Sequence, residues 1–379
     1  MIKVLVPEAP AIHQVFRRLQ EMQWNNCFSN FGPLSQELEK EVASQHPEVE
    51  NLRAVSCANA TLALELALTL IAQRCHFLDE HPCRVLIPSL TFPATASAVL
   101  RAGMVPVFGD VDLNSWQMLP EHANALYEGD QREPHPFDIV MPVAAFGAPV
   151  DAMHWSYWSA VSGIPVLIDA AGAMPDQEAF AGVPMVYSMH ATKAISSGEG
   201  GMLVTDDARL ADEFRALTNF GRPLGLPAAE VTLHGGTNAK MSEYHAAVGL
   251  ASWENRISAL ARRRQLSAHY AACLEALGVY GLQAQLRPPQ GAYTLMPVLL
   301  PPGSNVKGVR TRLSSAGVET ALWYLPPLHL HPVFSKYPGS SKLPNTDAIA
   351  ARLIGLPMHL RMDNRIVDEV CLQILKALQ

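Results

Sequence analysis

The sequence predicts an α/β fold, in which a mixed but mostly parallel sheet lies between helices, followed by a smaller C-terminal α+β domain. Two observations predict this fold. Short, unbroken apolar runs alternate with helical patterns over residues 52–216. A long helical stretch without proline then precedes a region that mixes an apolar run, helical segments and proline-rich loops. The length of 379 residues suits one large domain and one smaller domain.

The predicted strands are RVLIP (84–88), VPVFGDVD (105–112), FDIVMPVAAF (137–146) and IPVLID (164–169). Strands that are apolar along their whole length are buried on both faces, so helices must cover both faces of the sheet. The crossover helices are predicted in TLALELALTLIAQR, TASAVLRAG and DAMHWSYWSAVSG. In a sheet of this kind, ligands bind at the carboxyl ends of the strands.

The second half of the chain begins after the loop GRPLGLPAAEVTLHGG. With Ser242 as its N-cap, one helix is predicted to run to about Leu277 and to bridge two domains. We therefore predict a large α/β domain with an N-terminal arm at 1–240, a bridging helix at 241–277 and a small α+β domain at 278–379. In the small domain, YTLMPVLLP is the apolar run, and helices are predicted in VKGVRTRLSSAG and NRIVDEVCLQILKALQ.

Composition excludes several classes of protein. A chain that is 49% hydrophobic and 17% charged is too apolar to be disordered. A net charge of -7 gives no general attraction to nucleic acid or to anionic membranes, so neither is predicted as a partner. Without a recognisable secretory signal or membrane span, a cytoplasmic location is predicted. The six scattered cysteines are predicted to be reduced and buried, and no metal site is predicted.

Two segments carry groups suited to an anion. In SCANATLALELAL, a strand gives way to a helix at Asn59, and Ala60 and Thr61 offer backbone N–H groups and a hydroxyl at the positive end of the helix dipole. In GTNAKMSE (236–243), Asn238 and Lys240 are further donors. Taken singly, the first segment is equally explained by N-capping and the second by an ordinary loop.

Two further residues are candidates for covalent chemistry. Asp169 ends the strand VLID, and the small residues after it leave room for a flat ligand, although a solvated turn aspartate is the alternative. Lys193 lies in VYSMHATKAISSGEGG, where desolvation would lower its pKa toward that of a nucleophilic amine. Such a lysine forms Schiff bases with carbonyl groups, although an exposed lysine in a hairpin turn is the alternative.

Together these groups meet the requirements of pyridoxal 5'-phosphate. A carboxylate keeps the pyridine nitrogen protonated, a lysine about two dozen residues later binds the aldehyde, and a helix N-terminus holds the phosphate. The sequence therefore indicates pyridoxal phosphate as the cofactor.

From Asn30 almost to the C-terminus, the chain resembles the DegT/DnrJ-type sugar aminotransferases, a branch of the fold-type I pyridoxal-phosphate enzymes. The matching pieces occur in family order: NFGPLSQELEK, NAT (N-G-T in most of the family), IPSLTFPATA, PVFGDVD, FGAPVD, DAAGA, SMHATKAISSGEGG, GTNAKMSEYHAAVGL, LPPLHLHPVF and LPNTDAIAARLIGLPMHL. The resemblance implies that residues 1–240 form the cofactor-binding domain.

The resemblance also implies roles for single residues. Lys193 matches the Schiff-base lysine, Asp169 the partner of the pyridine nitrogen, and Phe92 the aromatic residue that stacks on the cofactor ring. The phosphate would be bound by Ala60, Thr61, Ser188 and, from the neighbouring subunit of a homodimer, Asn238. Substrate-binding candidates are His190, Lys240 and His329, with a structural role as the alternative for both histidines.

Two positions depart from the family pattern. Where the family commonly has D-A-A-Q, with the glutamine near the phenolic oxygen of the cofactor, this chain has Gly172, so water, another side chain or the substrate must make that hydrogen bond. Lys240 replaces the arginine of G-x-N-x-R, and the K-M-S-E version resembles the subgroup that acts on nucleotide-linked 4-keto-6-deoxy sugars.

The resemblance implies a homodimeric aminotransferase that moves an amino group from L-glutamate, or glutamine, to a nucleotide-linked keto-sugar such as a dTDP-4-keto-6-deoxyhexose, for amino sugar and polysaccharide biosynthesis. Related dehydratases have histidine at the Schiff-base position, so Lys193 argues against that activity. A nicotinamide-dependent enzyme is disfavoured because no G-x-G-x-x-G follows the first strand. A regulatory relative, in which Gly172 marks lost activity, stays open.

The homodimer that the resemblance implies would also explain the low content of charged residues, because an apolar interface would cover part of each subunit's surface.

Overall fold

The computed structural model describes residues 1–75, 82–129, 136–223, 235–339 and 342–379. Its helices are α1 (Ile12–Trp24), α2 (Pro33–Ala43), α3 (Ala60–Arg74), α4 (Pro93–Arg101), α5 (Pro120–Gly129), α6 (Ala152–Ser162), α7 (Ala208–Thr218), α8 (Glu243–Glu254), α9 (Arg256–Leu277), α10 (Val306–Ser315), α11 (Pro344–Ala350) and α12 (Asn364–Leu378). Its strands are β1 (Arg53–Cys57), β2 (Arg84–Pro88), β3 (Val105–Gly109), β4 (Ile139–Val140), β5 (Ile168–Asp169), β6 (Met185–Ser188), β7 (Gly201–Thr205), β8 (Gln283–Ala284), β9 (Met296–Leu299) and β10 (Leu353–Leu356).

The strands that precede α8 form one central sheet in the order β3-β2-β4-β5-β6-β7-β1. Parallel bridges from Val140 to Val166 and from Val143 to Asp169 join β4 to the segment that contains β5. Only β7 runs against its neighbours, β1 and β6, within the described part of this sheet. The predicted mixed, mostly parallel sheet is confirmed.

Helices cover both faces of this sheet. Successive residues of β2 enter different hydrophobic clusters, Leu86 on one face and Val85 and Ile87 on the other. The three predicted crossover helices are present as α3, α4 and α6. This burial on both faces is the reason why the strand sequences are apolar without alternation.

The strands after β2 are shorter than the sequence predicts. The apolar runs at 105–112, 137–146 and 164–169 are each predicted to form a strand along their whole length. In the structure they pair regularly only over β3, β4 and β5, respectively. Pro142 and Pro165 lack the backbone N–H that a continuous ladder requires. The chain beyond β4 instead turns at the sheet edge, where Phe146 has a φ of 57°.

The prediction of a single helix at 241–277 is wrong, because the structure has two helices, α8 and α9, that meet at Asn255. Ser242 is the N-cap of α8 as predicted, and its hydroxyl accepts from the His245 N–H at 3.3 Å. The Asn255 side chain donates to the Ala251 carbonyl at 2.6 Å and ends this helix. Because α8 packs against α1 and α2, whereas α9 packs against α12 and β8, the change of packing partners falls at Asn255 rather than along one bridging helix.

The C-terminal unit is built on an antiparallel sheet in the order β10-β9-β8. The apolar run YTLMPVLLP contains β9, and the two predicted helices are α10 and α12. Its hydrophobic core is separate from the two clusters that flank the central sheet. Residues 224–234 of the loop that precedes α8 lie outside the described residues.

The cysteines differ in exposure more than the sequence predicts. All six are free of disulfide bonds. Cys57, Cys83 and Cys371 are buried, but Cys75 is exposed at the end of α3, so the prediction of burial is wrong for Cys75. Among the described residues, no helix has both the length and the hydropathy of a membrane span.

Candidate active site

The candidate site lies at one edge of the central sheet, where β1, β5 and β6 end. These strands run in the same direction, since β7 is antiparallel to both β1 and β6 while β5 is parallel to β6. Asp169 is the last residue of β5, Ser188 is the last residue of β6, and α3 begins shortly after β1. The topology therefore brings together groups that are far apart in the sequence.

Asp169 is buried, with 4% of its surface exposed, so the alternative of a solvated turn aspartate is wrong. Its Oδ2 accepts from the Thr95 hydroxyl at 2.8 Å, and its Oδ1 accepts from the Ala171 N–H at 3.1 Å. Burial raises the pKa of Asp169, while these hydrogen bonds and the charge of Lys193 oppose the rise. The carboxylate is thus held in a fixed orientation and lacks a full shell of water.

Lys193 lies on the turn that joins β6 to β7. Its N–H donates to the His190 carbonyl at 2.9 Å, and the Ala191 N–H donates to the Gly198 carbonyl at 2.8 Å, which fixes the turn. Burial lowers the pKa of the Lys193 amine, and the charge of Asp169 opposes the decrease. The structure therefore favours the nucleophilic amine over an ordinary exposed lysine, and it couples this amine to the carboxylate of β5.

The N-terminus of α3 combines capping with anion-binding capacity. Asn59 is the N-cap, and its side chain accepts from the Leu62 N–H at 2.9 Å. Within the described residues, the N–H groups of Ala60 and Thr61 have no hydrogen-bond acceptor, as is usual in the first turn of a helix. The capping interpretation is confirmed for Asn59, and two backbone donors are still left for a phosphate.

Gly201 allows α3 to begin at this place, although no pattern in the sequence marks this glycine. It is the first residue of β7, and a Cβ built there would lie 2.4 Å from the Asn59 carbonyl carbon and 2.5 Å from the Ala60 nitrogen. These neighbours are backbone atoms and have no rotamer to change. Glycine is therefore required where the strand passes under the helix N-terminus.

We expect Gly201→Ala to destabilise the protein and to weaken cofactor retention. The added methyl group must displace the first turn of α3, at a cost of about 1–3 kcal/mol or more. Urea unfolding and cofactor release on dialysis measure the two effects. Gly278→Ala is the matched control, because nothing lies within 4 Å of its Cβ position. Equal stability of the two variants would contradict the packing argument.

Three aromatic residues line the site. Phe92 precedes α4, is 59% exposed, and stands one helical turn before Thr95, the residue that donates to Asp169. Its ring meets that of Tyr324 edge-on at 6.2 Å, and Tyr324 stacks on Phe146 at 4.7 Å. Tyr324 was missed, because no local signal in the sequence places this segment beside β2 and α4.

Gly172 packs against the turn that follows β4. A Cβ at Gly172 would lie 3.1 Å from the Gly147 nitrogen and 3.4 Å from the Ala144 carbonyl oxygen. Gly147 has a φ of 84°, and a Cβ built there would lie 2.8 Å from the Gly172 carbonyl oxygen. The backbone of this turn therefore leaves little space for the Cβ of a larger residue at position 172.

Tyr324 provides a polar group beside this turn. Burial together with the charge of Asp169 raises the pKa of the Tyr324 phenol, and the Phe146 backbone opposes the rise. The phenol consequently stays protonated at neutral pH. It is one candidate for the polar side chain that the sequence analysis required in place of the missing glutamine.

The two candidate histidines, His190 and His329, differ in how far their rings are free to contact a substrate. His329 is 5% exposed, and its ring nitrogens are engaged by the Ser89 hydroxyl at 2.7 Å and by Asp347 at 3.2 Å, an arrangement that favours the structural role. The Nδ1 of His190 pairs with the Thr192 hydroxyl at 2.9 Å, and its Nε2 lies 3.7 Å from Glu199 on a partly open side chain. Of the two histidines, His190 is the one that retains an exposed face.

Asn238 and Lys240 lie beside each other just before α8. The Lys240 amine donates to the Asn238 side-chain oxygen at 2.7 Å and lies over the Phe220 ring at 4.8 Å. Asn238 itself is exposed. Within the described part of the chain, its amide N–H donors have no acceptor.

The polar groups at the ends of these strands fit pyridoxal phosphate. Asp169 suits the pyridine nitrogen, Lys193 suits the aldehyde, and the first turn of α3 with the Ser188 hydroxyl suits the phosphate. The exposed ring of Phe92 offers a flat surface for the cofactor ring.

Comparison with known proteins supports this assignment. The pattern of the DegT/DnrJ/EryC1/StrS aminotransferase family matches residues 11–375. A putative PLP-dependent aminotransferase from Bacillus cereus ATCC 10987 superposes with a TM-score of 0.88 at 27% identity, over 98% of this chain and 99% of that one. DesI, solved in the presence of its TDP-sugar product, superposes with a TM-score of 0.84 at 30% identity, over 100% of this chain and 93% of that one. Protein Rv3402c of Mycobacterium tuberculosis is 28% identical over 100% of this chain and 89% of its own length.

The family pattern spans nearly the whole chain, from residue 11 to residue 375. The chain therefore belongs to the DegT/DnrJ/EryC1/StrS aminotransferase family and is a fold-type I, pyridoxal-phosphate-dependent sugar aminotransferase.

Proposed function

We propose that the protein transfers an amino group from L-glutamate to a nucleotide-linked keto-sugar, of which a dTDP-4-keto-6-deoxyhexose is our first choice. The observation that carries the proposal is the buried Asp169 carboxylate at the end of β5, close enough to Lys193, on the turn after β6, for each charge to affect the pKa of the other. The K-M-S-E segment and the similarity to DesI, which was solved with a TDP-sugar product, support the choice of sugar. A cytoplasmic location and a place in polysaccharide biosynthesis stay predictions.

Lys193, Asp169 and Thr95 would each have a different role in amino transfer. Bound pyridoxal phosphate supplies an electron sink for a carbanion next to the transferred nitrogen. Lys193 takes a proton from the donor carbon and returns it to the acceptor side, and burial, which lowers the pKa of this amine, favours the neutral form that accepts the proton. Asp169 holds the positive charge of the pyridine nitrogen, and Thr95 keeps that carboxylate oriented.

The test is a screen of nucleotide-linked keto-sugars in the presence of glutamate, with the product mass as the readout. We expect replacement of the ketone by an amine on at least one 4-keto-6-deoxy sugar. Loss of the visible cofactor band on addition of glutamate alone separates the donor half-reaction from the acceptor half-reaction. Failure of every amino donor to change the band would favour the regulatory alternative, and loss of a sugar hydroxyl would favour the dehydratase.

We further propose that the enzyme is a homodimer in which Asn238 contacts the cofactor phosphate of the other subunit. The surface around Asn238 supports this, because it carries exposed aromatic side chains that a monomer would leave in water. Phe220 is 56% exposed, Tyr244 is 53% exposed, and Phe28 stacks on Tyr244 with ring centroids 6.4 Å apart. Aromatic side chains of this kind are enriched in the cores of protein interfaces.

Mixing two defective variants tests the shared site directly. Lys193→Ala removes the amine, and Asn238→Asp places a negative charge against the phosphate, so each pure dimer is expected to be inactive or to retain its cofactor poorly. A hybrid dimer that shares sites across the interface contains one intact site. After subunit exchange, we therefore expect about a quarter of the wild-type activity, since half of the dimers are hybrid and each has one working site.

Two outcomes would contradict the shared site. A mixture no more active than its two components would place both residues in the same subunit's site. Sedimentation of a fully active monomer would exclude the dimer altogether. Lys307→Ala is the control partner for the mixing experiment, because Lys307 is exposed on α10 and its removal should leave activity unchanged.

A further inference from the structure

A cluster of metal-binding side chains lies between α9 and α12, on elements that contribute nothing to the active site described above. His269 and Cys273 are four residues apart on α9, so they lie on the same face of that helix. Asp368 comes from the facing helix α12. The three ligand atoms all lie within 4.8 Å of one another.

The distances are close to those of a coordination sphere. His269 Nε2 lies 2.6 Å from Asp368 Oδ1, and Cys273 Sγ lies 3.6 Å from the same oxygen. In a tetrahedral zinc site, bonds of about 2.0–2.3 Å place neighbouring ligand atoms roughly 3–4 Å apart. The 2.6 Å pair is a direct hydrogen bond and is shorter than this separation, so the Asp368 side chain, which is exposed and has room to move, must turn outward to admit an ion.

A fourth group adjoins the cluster. Cys371 is buried and stands one helical turn after Asp368 on α12, so it lies on the same face of that helix as the carboxylate. A surface ion pair between His269 and Asp368 would need neither thiol. The combination of imidazole, thiol and carboxylate is instead typical of zinc, because nitrogen and sulfur ligands disfavour magnesium and calcium.

We propose that His269, Cys273 and Asp368 bind a zinc ion, with Cys371 or a water molecule in the fourth position. The ion links α9 to α12 and so stabilises the C-terminal domain without taking part in amino transfer. No metal site is predicted from the sequence, because it contains no C-x-x-C pair and no pattern that joins His269 and Cys273 to a third ligand. Here the ligands come from two helices that are far apart in the chain and meet only in the folded domain.

The experiment uses the full-length holoenzyme without an affinity tag. After chelator treatment and dialysis against Zn²⁺, we expect one zinc per chain by elemental analysis. In a parallel sample, Co²⁺ should give the visible bands of a tetrahedral site with thiolate ligation. Cys273→Ser and His269→Gln should each weaken metal binding at least about tenfold, while aminotransferase activity without added metal stays unchanged.

Cys75→Ser is the matched control, because Cys75 is an exposed thiol outside the cluster and its loss should leave metal binding intact. Asp368→Asn changes an exposed side chain and tests the third ligand even if another variant folds poorly. The proposal is overturned if no metal is retained, if both Cys273→Ser and His269→Gln bind as tightly as wild type, or if the purified protein carries a Cys273–Cys371 disulfide and binds no metal.

Discussion

Replacing Lys193 with alanine is expected to lower the aminotransferase kcat by about 10³-fold or more, since one residue supplies both the nucleophilic amine and the proton transfer. Borohydride reduction of the cofactor-loaded wild type, followed by peptide mapping, should label Lys193. The Lys193→Ala variant should carry no label on any other lysine. A small primary amine added to this variant should restore part of the activity by replacing the missing base.

Lys193→Arg is the matched variant for charge. It keeps a cation beside Asp169 and therefore preserves the electrostatic partner of that carboxylate, but it lacks the amine. We expect it to be as inactive as the alanine variant. Substantial activity in Lys193→Arg, or labelling of a different lysine in the wild type, would show that the cofactor is bound elsewhere.

Replacing Asp169 with asparagine is expected to lower kcat by about 10²–10³-fold, because the variant loses the negative charge that stabilises the protonated pyridine nitrogen. The side chain keeps its size, so the packing around it should change little. Thr95→Val provides a graded comparison, since it removes only the 2.8 Å hydrogen bond to the carboxylate. Because the acceptor is a carboxylate, that loss corresponds to about 1.5 kcal/mol, or roughly a tenfold effect on rate, which is smaller than the effect of losing the charge.

Asp169→Asn should also change the titration of Lys193. The carboxylate opposes the decrease in the Lys193 pKa, so its removal must lower that pKa further. In the protein freed of cofactor, modification of Lys193 by an amine-reactive reagent should therefore reach its midpoint at a lower pH than in the wild type. An unchanged midpoint together with unchanged kcat would mean that Asp169 is not the electrostatic partner of the site.

Most of the chemistry could be predicted from local sequence. Asp169 and Lys193 each occur among small, apolar neighbours, and burial shifts their pKa values in the directions that those neighbours indicate. The helix start at Ala60 was predictable because the apolar pattern begins directly after a good capping residue, Asn59. These features depend on residues near one another in the chain.

The features that were missed depend on contacts between distant segments. Thr95 acts on Asp169 only because the first turn of α4 lies beside the end of β5. Tyr324 reaches the site because its segment is tied to the loop after β2, where the Leu328 N–H donates to the Ser89 carbonyl at 2.9 Å. Neither contact produces a pattern that can be read along the sequence.

The predicted bridging helix illustrates the same limit. An uninterrupted helical pattern with one tolerable glycine gives no reason to divide the segment at Asn255. The division follows from packing, because α8 must lie against α1 and α2 while α9 lies against α12. Because the two helices pack against different partners, their axes differ in direction. At the junction, the Asn255 side chain donates a hydrogen bond to the Ala251 carbonyl, which lies in the last turn of α8.

The sequence by itself determined the α/β class, the crossover helices, the lysine and carboxylate of the site and the family, since each depends on hydrophobic periodicity or on short motifs. Only the tertiary structure decided where the strands end, which groups surround Gly172, that Gly201 makes room for α3, and that His269, Cys273 and Asp368 meet. The physical reason is that strand ends, close backbone approaches and ligand clusters depend on distances between segments, and a linear pattern of residue types carries no such distances.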